Sequence, residues 1–171
     1  KAVNFGIIYG ISAFSLGDDL HISQKEAKDY INRYFERYPK VKEFLDECVE
    51  EARERGYGVT LFGRRRIIDE IHSSNFTKRS FGERVAKNMP IQGTAADIMK
   101  LAMIAVWKGL RETIPEARLV LQVHDELLIE TKKEEIEEVS RILEEEMKGA
   151  ADLAVELDVD MHQGDSWYEA K

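Results

Sequence analysis

At 171 residues, with 43% hydrophobic and 34% charged side chains, the chain has the make-up of an ordinary soluble globular protein of one domain or two small lobes. No apolar run approaches the ~20 residues of a membrane span, and no signal-peptide pattern opens the sequence. The net charge of −8 argues at first against a nucleic-acid partner, but it is unevenly spread: residues 1–52 carry net −3, residues 53–108 net +6 and residues 109–171 net −11, and a basic middle segment can meet phosphate because fields are screened within about 10 Å.

In chain order, KAVNFGIIYGIS reads as a helix already under way, as a fragment would begin, with glycines at 6, 10 and 17 breaking the pattern. In HISQKEAKDYINRYFERYP, Ser23 and Glu26 have the spacing of a capping box, and Ala27, Tyr30, Ile31, Tyr34, Phe35 and Tyr38 are the expected buried stripe. Pro39 stops or kinks that helix, and another runs from about Lys40 to Arg55, ending at Gly56. Its Cys48 is expected to be a buried packing residue; a single cysteine makes no intrachain disulfide, which suits a reducing cytoplasm. Val59, Leu61 and Ile67 then read as two short strands around a turn at Gly63, a hairpin carrying Arg64, Arg65 and Arg66. SSNFTKRSFGERVAKN is expected to be a polar loop leading into a helix. NMPIQGTAADIMKLAMIAVWKGL is the most apolar helix, with Ile91, Ala95, Ile98, Ala102 and Val106 in register. ARLVLQVHDELLIETKK reads as a strand pair bending near His124 and Asp125. The acidic KKEEIEEVSRILEEEMK is an amphipathic helix with its apolar stripe on Ile136, Val139, Ile142 and Leu143, and AVELDVDM is read as a last strand. Helices dominate the first half and strands with covering helices the second, which is α+β organisation.

Three clusters carry chemistry. In LVLQVHDELLIE, strand signals on both sides hold a carboxylate on rigid elements at a hairpin end, a placement that suits a metal ligand, and Asp and Glu are hard oxygen donors for Mg²⁺. Asp125 could equally serve as an ordinary turn residue. Zinc is disfavoured, because His21, His72, His124 and His162 are scattered and no HExxH spacing occurs. Lys1, Phe5 and Tyr9 recur every four residues on one helix face, a cation and two rings that match the phosphates, sugar and base of a nucleotide; the alternative is an aromatic stripe of the core. Arg84, Asn88 and Gln92 are spaced by four and share one face if the helix runs through Pro90 or starts again there. Their donors suit the acceptors that every base pair shows in the minor groove, and helix caps are the alternative.

KAVNFGIIYG resembles the second half of the motif on the nucleotide-binding O helix of family A DNA polymerases, the bacterial DNA polymerase I group. ERVAKNMPIQGTAADIMKLAM and QVHDEL resemble that family's following helix and active-site hairpin, in the right order, and the likeness runs on to the closing GDSWYEAK. The resemblance implies a fingers segment over residues 1–82 and the C-terminal part of a palm over residues 83–171. It also implies roles. Asp125 is similar to one of two aspartates that hold a catalytic Mg²⁺ pair, with Glu126 its supporting carboxylate and His124 lying against the primer terminus. Lys1 resembles the lysine that meets the incoming triphosphate and can protonate leaving pyrophosphate, and Tyr9 the aromatic near the template base. Phe5 resembles the ring beside the sugar; as Phe rather than Tyr it implies discrimination against dideoxynucleotides. Arg84, Asn88 and Gln92 resemble minor-groove and template-strand contacts. The implied partners are a DNA primer-template duplex and deoxynucleoside triphosphates, with no membrane and a monomeric intact enzyme.

The family's upstream motif Asp-Tyr-Ser-Gln-Ile-Glu, which supplies the partner aspartate, does not occur in the sequence. The expectation is therefore a fingers-and-palm piece, inactive by itself, of an enzyme of DNA repair and replication. A non-catalytic DNA- or nucleotide-binding module is the alternative, and a helical interaction protein built on the acidic helix a more distant one.

Overall fold

The computed structural model describes residues 2–170, and the chain divides into two compact units, Lys1–Thr94 and Ala95–Lys171. The first is built from α1 (Ala2–Ile8), α2 (Ala13–Leu20), α3 (Gln24–Arg37), α4 (Pro39–Arg55), the hairpin β1 (Tyr57–Val59) and β2 (Arg65–Ile67), and α5 (Phe76–Asn88). Local chemistry sets these boundaries. Pro39 is the first residue of α4, where a missing N–H costs nothing. Gly56 ends α4 at φ 77°, and Gly63 turns the hairpin at φ 83°, both in the left-handed region that glycine tolerates. Asn75 caps α5 by accepting from the Lys78 N–H at 3.1 Å, so the helix starts at Phe76 inside a stretch read as a polar loop.

At α3 the capping box forms: the Ser23 N–H donates to Glu26 at 3.0 Å, and the Glu26 N–H donates to the Ser23 hydroxyl at 3.2 Å. The bonds from the Ser23 hydroxyl and then the Ser23 backbone hold the Glu26 carboxyl below its ordinary value. A carboxylate with a depressed folded pKa stabilises the fold above its unfolded pKa and loses that contribution as the pH falls through the folded value. The stability difference between the native protein and a Ser23→Ala variant is therefore expected to be constant near neutrality and to shrink on acidification into the glutamate range. Denaturant melts from pH 7 to pH 3 measure it, and a pH-independent difference would show that Glu26 plays no part.

The core of this unit joins Val49 and Ala52 of α4, Ile68 and Ile71 around a 3₁₀ turn (Asp69–His72), and Val85 and Ala86 of α5. The stripe expected to be buried on α3 is only partly covered. Ala27 is buried, Ile31, Tyr34 and Phe35 are half-buried, and Tyr30 and Tyr38 are about half exposed, because α3 packs chiefly on α2 and touches α4 only lightly. Cys48 is half-buried rather than buried. Burial, with Glu51 and Glu47 beside it, pushes its thiol pKa up, which makes it a poor nucleophile.

The second unit holds most of α6 (Thr94–Thr113), the hairpin β3 (Arg118–Val123) and β4 (Glu126–Glu130), and α7 (Ile136–Lys148). Val106, Leu110, Ile114, Ala117, Val139 and Ile142 form its core, with Leu127 and Ile129 of β4 packed against it. The amphipathic stripe of α7 therefore lies as expected. Two expectations fail. Ala95 is exposed although Ala102 and Val106, on the same face of α6, are buried: that face is left uncovered at the first turn of the helix. Residues 151–160 form no strand. Leu153, Leu157 and Val159 are half-buried, but Val155 of the same alternating set is 76% exposed, and the segment pairs with neither β3 nor β4, which pair with each other. Mostly helical, with two small antiparallel sheets, the structure is α+β. Among the described residues no helix is long and apolar enough to cross a membrane.

Candidate nucleotide and nucleic-acid site

The first candidate group sits at the end of α1. The Ile11 N–H donates to the Gly6 carbonyl at 2.8 Å and the Gly10 N–H to the Ile7 carbonyl at 3.0 Å, the paired bonds of a Schellman motif, with Gly10 at φ 78°. Ile11 closes over Gly6, completing the motif's apolar contact. The helix thus ends one residue before Tyr9, which the spacing had placed on the helix itself. Tyr9 stays beside Phe5 all the same: its N–H donates to the Phe5 carbonyl at 2.9 Å, and the two ring centroids lie 6.1 Å apart at 32°. Phe5 is half exposed and free to meet a ligand. Lys1 lies outside the described residues.

The same turn abuts α5. A Cβ built on Gly10 would stand 3.3 Å from Cγ of Arg84 and 3.6 Å from Cδ of Lys87, so the turn that carries Tyr9 and the helix that carries Arg84 meet with only glycine between them. Two groups recognised separately in the sequence are therefore neighbours. Arg84 is exposed, with its guanidinium 6.0 Å above the Phe81 ring and 3.4 Å from the Ser80 hydroxyl. Lys78, Arg79, Arg84 and Lys87 make α5 basic, while its Glu83 is engaged by Arg53 at 2.6 Å. Asn88 is half-buried, and its Oδ1 is buried without a hydrogen-bond partner among the described residues, a costly state that functional sites tolerate. Arg84 and Asn88 share a face of α5, and Gln92 follows in the π turn that continues the helix. Pro90 lacks the N–H of the α-helical ladder and crowds the preceding turn. The chain widens into the π turn there, and Gln92 is exposed.

The second unit carries the hairpin end. Val123 pairs with Glu126, leaving His124 and Asp125 as a two-residue loop. His124 has φ 53° and Asp125 is not among the positive-φ residues, the pattern of a type II′ turn, whose first position belongs by preference to glycine. A histidine there stores on the order of 1–2 kcal/mol of backbone strain. Gln122 Nε2 donates to the His124 carbonyl at 2.6 Å. Sequence reasoning passed over Gln122, which sits in no periodic pattern. The register shifts between Leu119 and Leu121, so a bulge at Val120 bends β3 before the turn. Asp125 and Glu126 are exposed, and neither carboxylate is engaged by another described residue.

The family model for DNA polymerase family A matches residues 1–169. The chain belongs to that family. DNA polymerase I of Caldicellulosiruptor bescii is 54% identical over all 171 residues, which are 20% of that protein, and DNA polymerase I of Geobacillus stearothermophilus gives the same figures. A solved POL domain of Pol1 from M. smegmatis, in complex with DNA primer-template and dNTP, superposes with a TM-score of 0.94 at 43% identity, covering 99% of this chain and 30% of that one. The chain therefore spans about a fifth of the length of the curated relatives it matches.

Family A polymerases imply a divalent metal, and the hairpin can be tested for it. Among the described residues no group of three or more His, Cys, Asp or Glu is arranged to hold an ion. Mg²⁺ needs no such cage: it keeps several waters and takes one or two carboxylates together with substrate phosphates. Two exposed, unengaged carboxylates at the tip of a braced turn fit that requirement.

Proposed function

We propose that this chain supplies fingers (residues 1–82) and part of the palm (residues 83–171) to an enzyme that extends a primer by template-directed deoxynucleotidyl transfer in DNA replication and repair. The observation that carries the reading is the pair of free carboxylates at the hairpin end of a family A polymerase, Asp125 on the two-residue loop and Glu126 at the start of β4 beside it. Asp125 is the metal ligand and Glu126 its support. Bound there, Mg²⁺ would activate a primer hydroxyl and neutralise departing diphosphate. His124 lies against the primer end. Phe5 meets the sugar of the incoming nucleotide, Tyr9 the template base, and Lys1 the triphosphate, where it can donate a proton to the leaving pyrophosphate.

Arg84, Asn88 and Gln92 contact the duplex. The abutment of Gly10 on Arg84 supports this, because it lets a movement of the nucleotide-bearing turn register the DNA-bearing helix. The partners are a primer-template duplex and deoxynucleoside triphosphates, and the enzyme works as a monomer in the cytoplasm.

Primer extension tests the reading. The full-length protein is expected to incorporate complementary deoxynucleotides only with divalent metal. The 171 residues alone are expected to incorporate none, since the sequence holds no Asp-Tyr-Ser-Gln-Ile-Glu motif to complete the ligands. Metal-dependent incorporation by the isolated 171 residues would overturn the division of ligands. Inability of the full-length protein to extend any primer would overturn the function.

A further inference from the structure

Among the described residues, Gln122 is the side chain that hydrogen-bonds the loop carrying Asp125. Its Nε2 bonds the carbonyl of His124, at 2.6 Å, and that oxygen belongs to the central peptide of the loop. A peptide is planar, so fixing the direction of one C=O fixes ψ of His124 and φ of Asp125 together. The two favoured two-residue hairpin loops, types I′ and II′, share a positive φ at the first position and differ by a flip of this central peptide. The flip carries φ of the second residue from about −80° to about +90°. It reverses where the Asp125 Cβ starts while leaving the Val123–Glu126 pair in place. Strand pairing therefore does not choose between the two states. The bond from Gln122 does, and the observed positive φ at His124 alone is the state it selects.

We propose that Gln122 is a positioning residue: by holding the His124 carbonyl it locks the central peptide and keeps the Asp125 carboxylate in a single direction for metal. This rests on the reading of Asp125 as a metal ligand. Gln122 acts through the turn and needs no contact with DNA or nucleotide.

The test uses the full-length protein with Gln122→Met, which keeps the length and loses the donor, and Gln122→Glu, which keeps the shape and replaces the donor with an acceptor. Mn²⁺ affinity by electron paramagnetic resonance is expected to weaken about fivefold in both, the worth of one hydrogen bond. kcat should fall in step, with KM for the nucleotide, the Kd for duplex and the thermal midpoint unchanged. Unaltered Mn²⁺ affinity in Gln122→Met would overturn the inference. So would a weaker duplex Kd at constant metal affinity, because Gln122 would then be a DNA contact. An Asp125→Ala control separates the two claims: if it leaves Mn²⁺ binding intact, the metal reading itself fails, whatever Gln122 does.

Discussion

Replacing Asp125 with Ala in the full-length polymerase is expected to lower template-directed synthesis by about a thousandfold or more, at the upper end for loss of a single preorganised electrostatic group. Duplex affinity should stay within about twofold, because binding draws on basic groups releasing counterions rather than on an anion. The separation of the two effects is the informative part. Asp125 is exposed, its carboxylate makes no hydrogen bond or ion pair with another described residue, and it sits in a loop whose pairing does not involve its side chain, so its removal has no evident structural route to loss of activity. Its neighbours keep the turn. His124 already occupies the strained position, and Leu127 and Ile129 still anchor β4 to the core. Rapid-quench single-turnover rates beside filter-binding isotherms measure both quantities. If synthesis survives, Asp125 is an ordinary turn residue and the carboxylate that matters lies elsewhere. If synthesis and duplex binding fall together, the hairpin is a binding surface rather than a metal site.

What the sequence made legible depended on whether the deciding contact was local. Ser23 and Glu26 announce their box because both partners lie within one turn. The bend at His124 and Asp125 was readable because two apolar runs leave room for only a two-residue loop. Periodicity, by contrast, marks a face without saying whether anything covers it: the α3 stripe has helical spacing, yet Tyr30 and Tyr38 stay open. The apolar alternation of Val155, Leu157 and Val159 likewise suggests a strand, yet Val155 lies open and the segment joins neither sheet. Among the site residues, types were readable and angles were not. Pro90 signalled an interruption, but only the backbone shows that it becomes a π turn through which α5 runs on into α6. The meeting of Gly10 with Arg84 joins positions 74 residues apart in number, and no local rule foresees it.

Gly82→Val is expected to destabilise the first unit by about 3 kcal/mol, the upper range for overpacking a close contact. Gly82 lies buried in α5 where the helix rests on the 3₁₀ turn before it. A Cβ there would stand 2.9 Å from the Ile71 nitrogen, 3.1 Å from the Glu70 carbonyl carbon and 3.1 Å from the Ile71 Cα. All three are backbone atoms and cannot rotate away, so relief requires α5 to move as a body. Any gain in helix propensity over glycine is worth less than about 1 kcal/mol and does not offset this. Ile71, Val85 and Ala86 would lose packing together, and Arg84 and Lys87 would be carried away from their contact with Gly10. Duplex affinity should therefore fall along with stability, whereas the metal affinity of the hairpin, whose core lies in the other unit, should not. Gly63→Ala is the control. Gly63 has φ 83° with nothing within 4 Å of its built Cβ, so that change meets backbone strain alone, about 1–2 kcal/mol, and moves no helix. Urea melts and duplex isotherms on both variants distinguish the two mechanisms. A Gly82→Val loss no larger than that of Gly63→Ala would mean that α5 does not depend on this seat, and that the side chains proposed to meet DNA are placed by something else.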